Sequence, residues 1–114
     1  MAIQIIGTNK CRDTRAAVRF FRERRVPFHF VDLGERELSG GELRSIARAV
    51  GLENMIDRQG KEFQSLGLQY QTFDIEAKLM GNQRLLRTPI VRSGPNATVG
   101  NRPETWGEWI SHGL

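Results

Sequence analysis

Two apolar, strand-forming segments bracket a single amphipathic helical pattern at the start of the chain. Residues 2–6 (Ala-Ile-Gln-Ile-Ile) form a short, mostly buried strand by pattern, and residues 28–33 (Phe-His-Phe-Val-Asp-Leu) are aromatic and β-branched, which suits a second. Gly7-Thr8-Asn9-Lys10 is a turn-forming stretch. Between about Asp13 and Arg25 the spacing is helical: Ala17, Phe20, Phe21 and Val18 make the apolar side, and Arg12, Arg15, Arg19 and Arg22 recur every three or four residues on another. Pro27 stops this helix, because the residue before a proline avoids the helical region. Strand, helix and strand in this order define a βαβ unit with a parallel strand pair and a right-handed crossover.

The middle of the chain has a different character. Ser39 with Glu42 three residues on predicts a capping box, followed by Leu43, Ile46, Ala47 and Val50 at helical spacing and Gly51 as the stop. Short helical turns are expected over 53–57 and 61–66, and a short helix from Asp74, its cap, to Gly81. Residues 36–84 therefore read approximately as a helical block. The closing segment returns to strands. Leu85 to Val91 is an apolar run broken by Pro89, hence an edge strand or a special turn. Ser93-Gly94-Pro95-Asn96 marks a hairpin turn, and 97–99 the returning strand. A last helix opens near Pro103-Glu104, with Trp106, Trp109 and Ile110 as its packing face.

The chain has 114 residues, near the modal domain size, so one domain over 1–114 is expected. One cysteine allows neither an internal disulfide nor a cysteine-rich zinc site. No apolar run approaches membrane-spanning length, and the N-terminus lacks the basic region and cleavage site of a secretion signal. A reduced, cytoplasmic setting with no membrane association is the expectation. The net charge of +4 comes from 14 arginines against three lysines. Arginine suits planar contact with carboxylate, phosphate and similar oxyanions, although most of these read as a solvated surface. Direct nucleic-acid binding is not expected, since that would need the charge gathered on one face.

Cys11 is the most informative position. It lies between the first strand and the first helix, where backbone N–H groups and the helix dipole favour a thiolate, and Lys10, Arg12 and Arg15 add positive charge. That placement favours a reactive nucleophile over a buried cysteine packed as a small hydrophobe. The motif is Cys-x-x-Thr. Thr14 is placed to donate to a thiolate or to bond the helix backbone. With no second cysteine, any resolving thiol must come from glutathione or another protein. His29 and His112 are distant from each other and make no metal site. Asp32 and Glu35 read as caps or surface groups. Asp13 either opposes a low thiol pKa or caps the helix.

Taken in order, Ile5 to Arg15, the βαβ through Asp32, Met55 to Phe63, Leu86-Arg87-Thr88-Pro89-Ile90-Val91 and Thr98 to Glu104 cover nearly the whole chain and resemble the ArsC/Spx/YffB family, the arsenate-reductase-like branch of the thioredoxin superfamily. The resemblance implies an α/β thioredoxin-like fold: a βαβ unit, then a β-hairpin and C-terminal helix, with a helical insertion between. It implies a cis Thr88-Pro89 bond facing the cysteine. It implies Cys11 as nucleophile in an oxyanion or disulfide reduction, glutathione as co-substrate, glutathione or glutaredoxin as electron source and no bound cofactor. In arsenate reductases of the family three arginines hold the oxyanion. Here Asp57 takes one of their positions with Arg58 beside it, Thr88 another with Arg87 before it, and Asn101 the third with Arg102 after it. Each arginine is one residue out of place, and in extended chain such a shift reverses the facing of a side chain. The Spx branch implies an alternative, an adaptor or transcription regulator binding an RNA polymerase subunit, for which the Arg12/Arg15/Arg19/Arg22 face offers a basic surface.

Overall fold

The computed structural model describes residues 2–113. Strand β1 (Ile3–Gly7) leads into helix α1 (Arg12–Glu23) and strand β2 (Phe28–Asp32). β1 and β2 are parallel, with Ile3 opposite Phe28 and Gly7 opposite Asp32. The helix begins one residue earlier than its periodicity predicts and ends two residues earlier. Cys11 rather than Asp13 is its N-cap. At the other end Arg25 takes a φ of 57°, which turns the chain out of the helix two residues before Pro27.

The helical block follows. Helix α2 (Gly40–Val50) starts at the predicted capping box: the Ser39 hydroxyl accepts from the Glu42 N–H, and the Glu42 carboxylate accepts from the Ser39 N–H at 2.9 Å. It ends at Gly51, whose φ of 86° suits glycine. A 3-10 turn (Leu52–Asn54), helix α3 (Lys61–Ser65), a second 3-10 turn (Leu68–Tyr70), helix α4 (Ile75–Gly81, capped by Asp74) and a third 3-10 turn (Gln83–Leu85) complete the block. Leu85 and Leu86 thus belong to the block rather than to the sheet, and Leu86 pairs only with Ile56 in an isolated bridge.

Strand β3 (Ile90–Ser93) begins after Pro89 and runs antiparallel to both β1 and strand β4 (Asn96–Val99), giving the sheet order β2-β1-β3-β4. β3 is therefore an inner strand, not the edge strand that a proline-broken run allows. The proline sits just outside the ladder, so its missing N–H costs no strand pairing, and its carbonyl accepts from Gly100 N–H at 2.9 Å. The Thr88-Pro89 peptide is cis. Gly94, with φ 58°, and Pro95 form the two-residue hairpin loop. Helix α5 (Pro103–Ser111) closes the chain.

Alternation along the strands divides the apolar side chains between two cores. Ile3, Ile5 and Val91 meet Ala17 and Phe21 of α1 and Trp106 of α5 on one face. Ile6, Val31, Ile90 and Val99 meet Leu43, Ile46, Phe63, Leu79 and Leu85 of the helical block on the other. The Trp106 ring is fully buried, and its Nε1–H donates to Thr98 Oγ1 at 2.8 Å. The arginine stripe of α1 is solvent-exposed throughout, as is His29. No helix among the described residues is long and apolar enough to cross a membrane.

Candidate functional site

The end of β1 delivers the chain to a sharp corner. The Cys11 N–H donates to Thr8 O at 3.1 Å, and the Cys11 carbonyl accepts from Arg15 N–H, so the cysteine is fixed as the first residue of the helix entry. Its sulfur lies half-buried, and the thiol donates to the Thr88 carbonyl at 3.6 Å. The loop before β3, 77 residues further along, is thereby placed against the helix start.

Thr14 stands one turn into α1, fully buried, with a hydroxyl that has no hydrogen-bond partner within the protein. It packs against Gly7, where a side chain would overlap it: a Cβ there would lie 2.8 Å from Thr14 Cγ2 and closer still to Oγ1. Burial of the sulfur pushes the Cys11 thiol up. The hydroxyls of Thr14 and Thr88, together with the N–H groups of Thr14 and Asp13, more than offset this, and the thiol lies below its ordinary value. The bond to the Thr88 carbonyl works the other way, because only the neutral thiol can donate it. The donors favouring the anion outnumber it. A thiolate would also give the orphaned Thr14 hydroxyl the acceptor it lacks.

Lys10 and Arg12 were expected to support the thiolate by charge. Both are exposed, and hydrogen bonding rather than either charge brings the thiol down. One contributor was not read from the sequence, the Thr88 hydroxyl. The N–H groups of Asp13 and Thr14 are among the free donors that a helix start offers and that the sequence signals; Thr88 had no such signal, since it reaches Cys11 only through the fold. Asp13, in the first turn, acts through its backbone. Among the described residues no group of three or more His, Cys, Asp or Glu side chains is arranged to hold a metal.

Beside the Cys11 loop a cleft of about 910 Å³ opens at the carboxyl ends of the two parallel strands, where α/β sheets commonly bind ligands. Thr8, Asn9 and Lys10 form one wall, Asp32 and Glu35 another, and Asn82, Arg84 and Thr88 a third. Both signs of charge face it. Asp32, Glu35 and Arg84 were not singled out for ligand contact, and only the position of their loops at the sheet's carboxyl end hints at it.

The four anion-binding candidates do not gather in this cleft. The Arg58 guanidinium lies 5.7 Å from the ring centres of both Phe63 and Phe73, stacked on the helical block. Arg87 and Arg102 line a separate, smaller groove beyond β4. Asn101 is exposed and lines neither.

A four-stranded mixed sheet of βαβ and ββα halves, with a helix-start cysteine against a cis-proline loop, defines a thioredoxin/glutaredoxin-like fold. The model of the ArsC family matches residues 6–109, and the chain belongs to that family. The solved structure of a YFFB protein is similar over 94% of this chain and 97% of its own, with TM-score 0.85 and 19% identity. An arsenate reductase from Vibrio cholerae is similar over 95% of this chain and 97% of its own, with TM-score 0.80 and 20% identity. A glutaredoxin from Archaeoglobus fulgidus aligns over 96% of this chain and 87% of its own, with TM-score 0.50 and 16% identity. Among curated proteins none matches the sequence significantly.

Proposed function

We propose that the protein is a glutathione-coupled thiol reductase that uses the Cys11 thiolate to reduce a disulfide. The observation that carries this reading is the set of donors from Thr14, Thr88 and the α1 entry that brings the thiol down. The Cys11 sulfur attacks one sulfur of the substrate disulfide, forming a Cys11 mixed disulfide and releasing the other sulfur as a thiolate. With no second cysteine in the chain, a glutathione thiolate attacks this mixed disulfide at the sulfur bonded to Cys11, and the Cys11 thiolate is restored. When the substrate is itself a glutathione mixed disulfide, a second glutathione completes the electron balance as glutathione disulfide, and the substrate leaves as a thiol. The cleft beside Cys11 suits a zwitterionic tripeptide, because Lys10 and Arg84 offer contacts to carboxylates and Asp32 and Glu35 to an ammonium group.

Arsenate is the competing substrate. The family and the arsenate-reductase neighbour favour it; the siting of Arg58, Arg87 and Arg102 outside the cleft walled by Thr8, Asn9, Lys10 and Thr88 favours the disulfide. The test is turnover with glutathione against a glutathionylated peptide in one arm and against arsenate plus glutaredoxin in the other. Turnover of the peptide, abolished in Cys11→Ser, is expected. Turnover of arsenate alone would replace the disulfide reading, and activity surviving in Cys11→Ser would remove both. A non-enzymatic adaptor role is favoured by one observation, the four exposed arginines along α1. Direct binding to an RNA polymerase α subunit, lost on charge reversal at Arg19 and Arg22, is the result that reading requires.

A further inference from the structure

Arg87 and Arg102 come together at a place that the reductase reaction does not use. Arg87 follows Leu86, at the end of the helical block, and its guanidinium lies over Gly100: a Cβ on that glycine would sit 3.5 Å from Nη2. Gly100 has φ 82° and no side chain, so the arginine crosses it toward the start of α5. Arg102 is the N-cap residue of that helix, with no side-chain cap of its own. Both line a groove of about 340 Å³ whose other walls are Ala49 and Val50 at the end of α2, Asn54, Ala97 to Val99 of β4, and Thr105.

Three observations distinguish this groove from an ordinary basic surface. No Asp or Glu lines it. The ion pairs among the described residues join Arg36 to Glu42 and Arg84 to Glu62, which leaves both guanidinium groups in the groove without an anionic partner. Its lining is mixed: Ala49, Val50, Ala97 and Val99 give apolar surface, and Asn54, Thr98 and Thr105 give polar groups. The groove opens on a different surface from the sulfur, although Arg87 adjoins Thr88, whose carbonyl the thiol meets. Ile6 pairs with Ile90 and Ile90 with Val99, so β3 lies between β1, which leads to Cys11, and β4, which lines the groove. Neither Cys11 nor any residue of the loop before α1 lines it.

We infer that Arg87 and Arg102 form a second, non-catalytic binding site for a small organic anion, whose carboxylate or phosphate takes the two guanidinium groups and whose short apolar body rests on Ala49, Val50 and Val99. Guanidinium groups bind such oxyanions through paired N–H donors. The volume lies at the low end of small-molecule pockets, which suits a ligand of this kind rather than a nucleotide.

The test uses the full chain carrying Cys11→Ser, which cannot turn over, so its result is independent of the reductase reading. Amide NMR spectra are recorded during titration with inorganic phosphate and with butyrate, each against chloride at matched ionic strength. Saturable shifts at Gly100, Ala97 and Thr105 are expected with either probe, and butyrate adds shifts at Val50. Shifts with phosphate alone assign the site to phosphates, and with butyrate alone to carboxylates. Arg102→Ala and Arg87→Ala each weaken binding by about tenfold or more, and Arg102→Lys restores part of it. Shifts no larger than those from chloride, shifts centred on residues 8–14, or binding unchanged in both alanine variants would overturn the proposal.

Discussion

Thr14 connects the backbone of β1 to the chemistry of Cys11. Its side chain fills the space left by the absent Cβ of Gly7, and its buried hydroxyl favours the ionised Cys11 sulfur, a stronger acceptor than the thiol. Alkylation of Cys11 is expected to show a midpoint below the ordinary thiol value of about 8.5. Thr14→Val removes one donor at nearly constant volume and is expected to move that midpoint up, as read from the pH dependence of iodoacetamide reaction. Because the folded thiol lies below its unfolded value, the ionised sulfur stabilises the fold above the unfolded pKa, and that stabilisation is lost as pH falls through the folded one. Gly7→Ala should cost about 1–3 kcal/mol in urea denaturation by overpacking. Thr14→Ala in the same chain should recover most of this stability without restoring the low thiol value, which separates the packing role of Thr14 from its electrostatic one.

Among the elements, the start of α2 shows how far local sequence reaches. Ser39 and Glu42 close the capping box within three residues, which is why the pattern was legible. Arg36 was not read as its partner: its guanidinium spans the Glu42 carboxylate with two hydrogen bonds of 3.0 and 3.1 Å across the loop. Arg36 and the Ser39 N–H together hold the Glu42 carboxyl down at about 2. The contribution of this carboxylate is complete above the unfolded value of about 4.3 and fades as pH falls from there toward the folded one. Ser39→Ala should lower stability by about 1 kcal/mol at pH 7. Glu42→Gln should flatten the acid limb of stability between roughly pH 4 and 2, measured by denaturation at a series of pH values.

At the scale of the molecule, Gln83 connects two parts that are far apart in sequence. Buried, it accepts from Leu38 N–H and donates to Leu38 O, both at 2.7 Å, and so fastens the last turn of the helical block to the segment leaving β2. Gln83→Leu strands both backbone groups and should cost about 2–4 kcal/mol. Trp106 lies in the opposite core, so its fluorescence and the far-UV circular dichroism test whether the two faces unfold together. One coincident transition, shifted equally in both signals by Gln83→Leu, is expected from cores that share a single sheet.

The elements of the fold were legible because strand alternation, helical spacing, capping residues and glycine stops act within a few positions. The βαβ opening, the helical block, the hairpin and the closing helix follow from such signals, and so does the placing of Cys11 at a helix start. Strand rank was less accessible: Pro89 made β3 resemble an edge, because a proline inside a ladder and one just before it look alike in sequence. The direction of the rim side chains was decided only in three dimensions. Arg58 is held by Phe63 and Phe73, Arg87 crosses Gly100, and Cys11 meets Thr88 from 77 residues away. By itself the sequence determined that a lone cysteine would open the first helix. The tertiary structure decided which groups surround it, because side-chain direction at a loop depends on packing partners that the local chain does not contain.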